Sequence, residues 1–266
     1  MRLLDYVLDA GLAADQRSAQ GLILRGDVLV NDRPVTSPAA EVREGASVRL
    51  RSGIAEGVSR GAGKLKPALE RSGMDVAGRI CLDLGVSTGG FTSVLLERGA
   101  ARVYAVDVAY GVTALKLRSD PRVVLLERTN VRALSPALVP VPVMRVVGDL
   151  SFISWSAVLP AVVGLLGEGA EALLLVKPQF ELAARGLDQL VPAGVVREPA
   201  ALADCLAHLY NTWVDNRLVP RAVIPSALRG AKGNQEFFVH LVWQGEQGSR
   251  QSYGDMVQAA IEEAAR

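Results

Sequence analysis

Cysteine and histidine are almost missing from this 266-residue chain, with two of each. Two cysteines are too few for a disulfide framework, and Cys81 falls in an apolar strand-like run, so a reduced, cytoplasmic setting is expected. His208 and His240 sit in helix-like and strand-like patterns with no acidic or cysteine partner in view, which argues for packed or half-exposed rings and against a metal site. No run approaches the roughly 18 apolar residues of a membrane span. The start, Met1 to Asp9, interrupts its apolar residues with acids, so neither anchor nor export signal is expected. Excess charge of either sign is also lacking: the net value is +1, and any attraction to nucleic acid must come from local arginine placement. Lysine is scarce too, five against 24 arginines.

Half of the residues are hydrophobic, enough for one large domain and a small one. Residues Leu3 to Gly11 and Asp15 to Arg25 have helical spacing, and Gly26 follows as a stop. Short strands begin at Val28, turn at Asn31-Asp32-Arg33-Pro34 and end in the alternating Ala46 to Leu50, which predicts a small α+β unit over residues 1–58 with a linker from Arg51 to Gly57.

From Ser59 the rhythm becomes alternating strand and helix, predicting for residues 59–266 an α/β domain with a seven-stranded parallel sheet covered on both faces. Strands are expected at 79–83, 102–107, 123–127, 143–149, 172–177, 219–224 and 236–243, and helices near 65–71, 90–98, 109–119, 154–166 and 199–211. The stretch Pro178 to Arg197 has weak periodicity and reads as a mobile loop over a site. The polar tail after Gly245 ends in a helical pattern.

In a doubly wound sheet, ligands bind beyond the carboxyl ends of the strands, and the first turn needs glycine so that backbone can approach them. Asp83-Leu84-Gly85-Val86-Ser87-Thr88-Gly89-Gly90-Phe91-Thr92 follows the first apolar strand and opens a helix, and Asp107 ends the next strand, where a carboxylate can accept from both hydroxyls of a ribose. The Asp-x-Gly pattern favours S-adenosylmethionine over a dinucleotide. The alternative is a purely structural glycine turn. Arg128-Thr129-Asn130-Val131 follows the third strand, where Asn130 and Val131 can bracket an adenine; the alternative there is a solvated turn.

Asp149 ends the fourth strand without the Asn/Asp-Pro-Pro-aromatic motif of amino-methylating enzymes. Cytosine-carbon methylation needs a positioned thiol, and neither Cys81 nor Cys205 is suitably placed. Four residues remain at chemically exposed ends of elements: Lys64, Asp149, Lys177 and Glu236. A ribose hydroxyl is a poor nucleophile that must be held in line and relieved of its proton, which a desolvated lysine among carboxylates can do. Lys177, after the apolar Leu174-Leu175-Val176, is the expected base; Asp149 and Lys64 orient it or the hydroxyl, and Glu236 tunes the cluster. Taken singly, Lys177 also reads as a strand-end cation and Glu236 as a surface acid.

Ser59-Arg60-Gly61-x-x-Lys64-Leu65, the Asp83 to Thr92 loop, Ala105-Val106-Asp107-Val108-x-Tyr110-Gly111, Glu127 to Arg132, Asp149-Leu150-Ser151-Phe152-Ile153-Ser154, Val176 to Glu181, Gly194-Val195-Val196-Arg197 and Gly233-Asn234-x-Glu236-Phe237 together resemble the TlyA, or haemolysin A, family of ribosomal RNA 2'-O-methyltransferases. The resemblance spans about residues 2 to 243. It implies an FtsJ-like, Rossmann-like class I methyltransferase domain behind an αL RNA-binding module, and methyl transfer from S-adenosylmethionine to cytidine ribose in ribosomal RNA. It also implies a tetrad of Lys64, Asp149, Lys177 and Glu236. Gly61-Ala62-Gly63 stands where Gly-Gly-Leu is usual, and Gly148 replaces a commoner alanine before Asp149, a change expected to loosen the backbone.

The first sixty residues carry eight arginines and eight acids, so RNA binding by the small unit has to come from one face, formed by Arg2, Arg17, Arg25 and Arg33, with Arg60 beside the catalytic domain. Two other readings compete with the enzyme: a ribosome-binding or assembly factor that keeps the fold without catalysing, and the membrane-damaging activity of the haemolysin label. Oligomeric state, target nucleotide and ribosomal subunit are not encoded in any of these motifs.

Overall fold

The computed structural model describes residues 1–10, 12–13, 16–43, 45–50, 60–230, 232–244 and 249–266. The linker expected at Arg51 to Gly57 lies outside them. The small unit opens with α1 (Leu3–Asp9) and α2 (Gln16–Leu24), then β1 (Val28–Val30), β2 (Arg33–Pro34) and β3 (Val48–Leu50) in the order β2-β1-β3. Asn31 and Asp32, at φ 48° and 62°, make the tight β1–β2 turn, since short polar side chains tolerate left-handed backbone. Leu3, Val7, Ala19, Ile23 and Val28 form this unit's own dry core.

The larger unit contains α3 (Arg60–Ser72), β4 (Ile80–Leu84), α4 (Gly90–Glu97), β5 (Arg102–Val106), α5 (Leu115–Arg118), β6 (Val123–Leu126), β7 (Val143–Gly148), α6 (Leu159–Val163), β8 (Leu166–Val176), α7 (Pro178–Ala184), α8 (Pro199–Asp215), β9 (Leu218–Pro225), β10 (Phe237–Trp243) and α9 (Arg250–Ala264). Its strands form one seven-stranded sheet in the order β6-β5-β4-β7-β8-β10-β9. All pairings are parallel except those of β10, which runs antiparallel to both neighbours. Side chains alternate between the two faces. Leu82, Leu84, Val146, Leu174 and Phe237 join one apolar layer, while Cys81, Val147, Leu173, Leu175 and Phe238 join the other.

The order reverses between β4 and β7, and their carboxyl ends open the crevice where ligands bind in such sheets. Because β10 is antiparallel, its first residue Phe237 lies opposite Val176, the last of β8. Glu236 and Lys177 therefore emerge side by side at that same end.

Four expectations are corrected. Residues 109–119 form only the short α5, because the Asp107 carboxylate accepts from the Ala109 amide (2.8 Å) and the Glu127 carboxylate from that of Gly111 (2.7 Å), holding the preceding segment as a loop. Residues 154–166 form a 3-10 turn and the five-residue α6, and β8 already begins at Leu166. The segment 178–197 is an ordered helix and two 3-10 turns, pinned by buried Glu181 and Leu182. Gly148 does not loosen the chain. It pairs with Leu84 and Leu174, and a Cβ there would lie 2.5 Å from Cη2 of Trp155.

Candidate active site

The turn after β4 carries Gly85 at φ 87°, and a Cβ on it would sit 2.9 Å from the carbonyl oxygen of Asp149. Only glycine lets the two strand ends approach this closely. Beside it, a cleft of about 430 Å3 is lined by Gly85, Ser87, Asp107, Asn130, Val131 and Asp149, together with Val108 and the Leu150 to Ile153 loop. That volume suits a nucleoside-sized ligand.

Asp107 is fixed from below, accepting from the Ser87 amide through Oδ2 (2.7 Å) and the Ala109 amide through Oδ1 (2.8 Å). Each carboxylate oxygen keeps a second acceptor position for a ligand hydroxyl. Asn130 accepts from the Arg132 amide and starts a 3-10 turn, which sets buried Val131 against the cleft as an apolar wall. A glycine turn, a carboxylate with two open acceptor positions and an apolar wall are the groups that a nucleoside cofactor such as S-adenosylmethionine needs.

Thr88, Gly90 and Phe91 line an adjoining pocket with Lys64, Gly85, Ser87 and Asp149. Gly89 (φ 97°) accommodates Leu117, whose Cδ1 would be 2.0 Å from an added Cβ. Gly90 and Phe91 are buried at the start of α4, with the Phe91 ring 6.0 Å from that of Phe238 in the core. The Thr88 carbonyl accepts from the Ala114 amide. Asp83 is fully buried. Its Oδ2 accepts from Thr92 (2.6 Å) while Oδ1 has no hydrogen-bond partner, and burial pushes this carboxyl up to about 7.

The four residues expected as a tetrad come together. Lys64, on the second turn of α3, lies 2.6 Å from Oε2 of Glu236 and 3.6 Å from Oδ2 of Asp149. Lys177 lies 2.7 Å from Oδ1 of Asp149. The order is thus Glu236–Lys64–Asp149–Lys177, with Asp149 bridging the two amines. Glu236 is 2 % exposed and Lys64 6 %, so neither is a surface charge. Glu236 is the dry end of the chain of charges, Asp149 lines the cleft, and Lys177 stands against Asp149 and Ser151, which both line it.

Three neighbours lay outside the sequence-level site. The Lys177 amine also donates to Oγ of Ser151 at 2.7 Å. Phe152 is 88 % exposed, holds left-handed backbone at φ 64°, and stacks obliquely 4.7 Å from Phe180. Buried Glu181 accepts from Ser154 Oγ (2.5 Å) and the Trp155 amide (2.9 Å), stitching the 149–156 loop to α7; burial raises its carboxyl pKa. The hydroxyl two residues beyond Asp149 was the available signal for Ser151; Glu181 gave none.

The two cysteines are inert here, Cys81 with its thiol raised to about 12 by burial. His240, expected to lack an acidic partner, instead sits 2.7 Å from Glu171, which also pairs with Arg145 (3.0 Å). Among the described residues no His, Cys, Asp and Glu group is arranged to hold a metal, and no helix is long and apolar enough to cross a membrane.

The arginines of the small unit are exposed where described. Arg2 pairs with Asp5, Arg25 with Asp27, Arg33 lies on the edge strand β2, and Arg17 lies on α2. Arg60 opens α3 and donates to the Arg229 carbonyl.

Comparison with known proteins agrees with this geometry. Residues 57–243 match the FtsJ-like methyltransferase family, and residues 1–48 match the S4 domain. The chain is 44% identical over 255 residues to the Mycobacterium tuberculosis 16S/23S rRNA (cytidine-2'-O)-methyltransferase TlyA, covering 95% of this chain and 94% of the relative. It is 36% identical to Hemolysin A of Brachyspira hyodysenteriae, over 91% of this chain and all of that one. A solved structure from Streptococcus thermophilus, labelled as a hemolysin, superposes with a TM-score of 0.73 at 31% identity, covering 100% of this chain and 97% of that one. A seven-stranded sheet with a glycine turn at its reversal point, behind an S4 domain, thus makes this chain a member of the TlyA family of FtsJ-like methyltransferases.

Proposed function

We propose that this enzyme methylates the 2'-hydroxyl of a cytidine in ribosomal RNA, presented within a ribosomal subunit, and so works in the cytoplasm. The observation that carries the reading is the Glu236–Lys64–Asp149–Lys177 chain of charges at the mouth of a nucleoside-sized cleft. The M. tuberculosis relative's name gives the same reaction.

S-adenosylmethionine, when bound, would supply an electrophilic sulfonium methyl group for transfer to the ribose oxygen, its sulfur keeping the electrons of the broken bond. Asp107 would hold the cofactor's ribose, with Gly85 and Ser87 as the backbone beside it and Asn130 and Val131 against the base. Lys177 takes the hydroxyl proton on its Nζ lone pair, leaving the oxygen electron-rich at the moment of attack. Asp149 fixes the direction of Lys177, and Lys64 stands between Asp149 and Glu236, its single positive charge shared by the two carboxylates. Phe152 offers an exposed aromatic face on which a base drawn out of the RNA can stack. The S4 domain, through Arg2, Arg17, Arg25 and Arg33, with Arg60 beside the catalytic cleft, contacts RNA phosphates and sets register and orientation on the subunit. Residues 1–58 and 59–266 then act as the RNA-positioning and catalytic domains.

The test is transfer of labelled methyl from S-adenosylmethionine to purified small and large ribosomal subunits, with Lys177→Ala alongside and the product nucleoside identified by mass spectrometry. Ribose-methylated cytidine made by the intact protein alone is the expected result. No transfer to either subunit despite cofactor binding would overturn the catalytic reading in favour of a ribosome-binding factor.

A further inference from the structure

We propose that Ser151 is a positioning residue for the methyl-transfer reaction, one that aims the Lys177 amine so that its lone pair faces the substrate hydroxyl. This rests on the reading of Lys177 as the proton acceptor.

A neutral amine has two N–H bonds and one lone pair arranged tetrahedrally. The Lys177 amine donates one hydrogen bond, to Oγ of Ser151 at 2.7 Å, while Oδ1 of Asp149, also 2.7 Å away, holds it as an ion-pair contact without hydrogen-bond geometry. Ser151 thus fixes one N–H bond in direction and the Asp149 carboxylate draws a second towards itself by charge, which leaves the lone pair for the open side. Asp149 alone does not settle this, because an amine held at one point can turn a second N–H towards the ribose oxygen and its lone pair away. That orientation binds the hydroxyl as an acceptor and takes no proton from it. Ser151 removes the unproductive orientation.

The surroundings support the assignment. The Lys177 side chain is 11% exposed, so few waters can substitute for the missing contact. Ser151 itself is exposed and lines the cofactor cleft beside Asp149. Its place is fixed on both sides: Gly148, before Asp149, is paired into the sheet, and Glu181 clamps Ser154 and Trp155. A lysine stem has many rotamers, so a second fixed contact narrows a wide range of amine positions.

The experiment compares Ser151→Ala and Ser151→Thr in full-length protein, measuring kcat and KM for methyl transfer to ribosomal subunits, S-adenosylmethionine Kd by calorimetry, and Tm. Ser151→Ala is expected to lower kcat roughly 10- to 100-fold with both binding constants and Tm unchanged, and Ser151→Thr, which keeps the hydroxyl, to return kcat to within about threefold. Wild-type kcat in Ser151→Ala would overturn the proposal. A loss that appears instead in Kd, KM or Tm and is not rescued by threonine would overturn it too, reducing Ser151 to a loop-shaping residue. Absence of methyl transfer by the wild-type protein would overturn the proposed function, and this inference with it; an active wild type with unaffected Ser151→Ala removes this inference alone.

Discussion

Lys64 and Glu236 stand 172 positions apart in the chain and meet at 2.6 Å, both almost wholly out of water. Such a pair contributes little net stability over an apolar pair of similar size, but removing one partner strands the other charge at a cost of about 3–5 kcal/mol. Lys64→Met alone is therefore expected to lower unfolding free energy by about 3 kcal/mol or more in urea titration and to abolish methyl transfer. Lys64→Met combined with Glu236→Met should regain most of the stability and none of the activity. Parallel recovery of both would show that the pair only holds the fold together.

Asp83 sets a pH dependence of a different kind. Its carboxyl is raised by burial from an ordinary value near 4 to about 7, offset in part by the Thr92 hydrogen bond. A group whose folded pKa is raised favours the folded state most when protonated. Its contribution is thus fully present below about pH 4 and is lost as pH climbs to about 7, where the carboxylate is ionised without water. Asp83→Asn should make the protein more resistant to urea than wild type at pH 8, with the gap closing towards pH 5. An equal gap at both pH values would mean that Asp83 ionises freely in the fold.

Gly148 and Trp155 form a space-filling pair. Trp155 cannot move away readily, since its Nε1 donates to the Leu175 carbonyl at 3.1 Å and its ring is buried. Gly148→Ala forces a methyl group to 2.5 Å from the ring and is expected to cost about 1–3 kcal/mol, read as a lower urea midpoint with unchanged slope. Adding Trp155→Phe, which shortens the ring, should recover part of the loss.

Strand ends were legible in the sequence because an apolar run terminates in a polar residue at each of Asp83, Asp107, Asp149 and Lys177, and a parallel sheet gathers such ends along one edge. The antiparallel β10 is what adds Glu236, from the start of its strand, to the same edge. Helices were less legible. Residues 109–114 lack helix because two carboxylates, Asp107 and Glu127, capture backbone amides, a tertiary effect no local pattern reports. The order of 178–197 depends on Glu181, a buried acid on α7 that breaks the apolar spacing by which a helix is usually found. His240 and Glu171 meet across neighbouring strands β10 and β8, 69 positions apart, so their pairing follows only from register.

Phe152 supplies the last prediction. A phenylalanine 88 % exposed, in left-handed backbone, contributes little to the fold and costs something to hold, a combination that persists where a surface must be presented. Its ring lies 4.7 Å from Phe180, whose own ring is 5.9 Å from the Lys177 amine, so a base stacked on Phe152 would bring its ribose towards that amine. Stacking on an aromatic side chain is worth about 1–3 kcal/mol per base, which corresponds to roughly 5- to 150-fold in binding or rate. Phe152→Ala is expected to reduce kcat/KM on ribosomal subunits within that range, with Tm and S-adenosylmethionine Kd unchanged, while Phe152→Trp keeps most activity. Equal kcat/KM in wild type and Phe152→Ala would mean that the flipped base is held elsewhere. A fall in cofactor affinity would instead assign Phe152 to the wall of the cleft that Leu150 to Ile153 line.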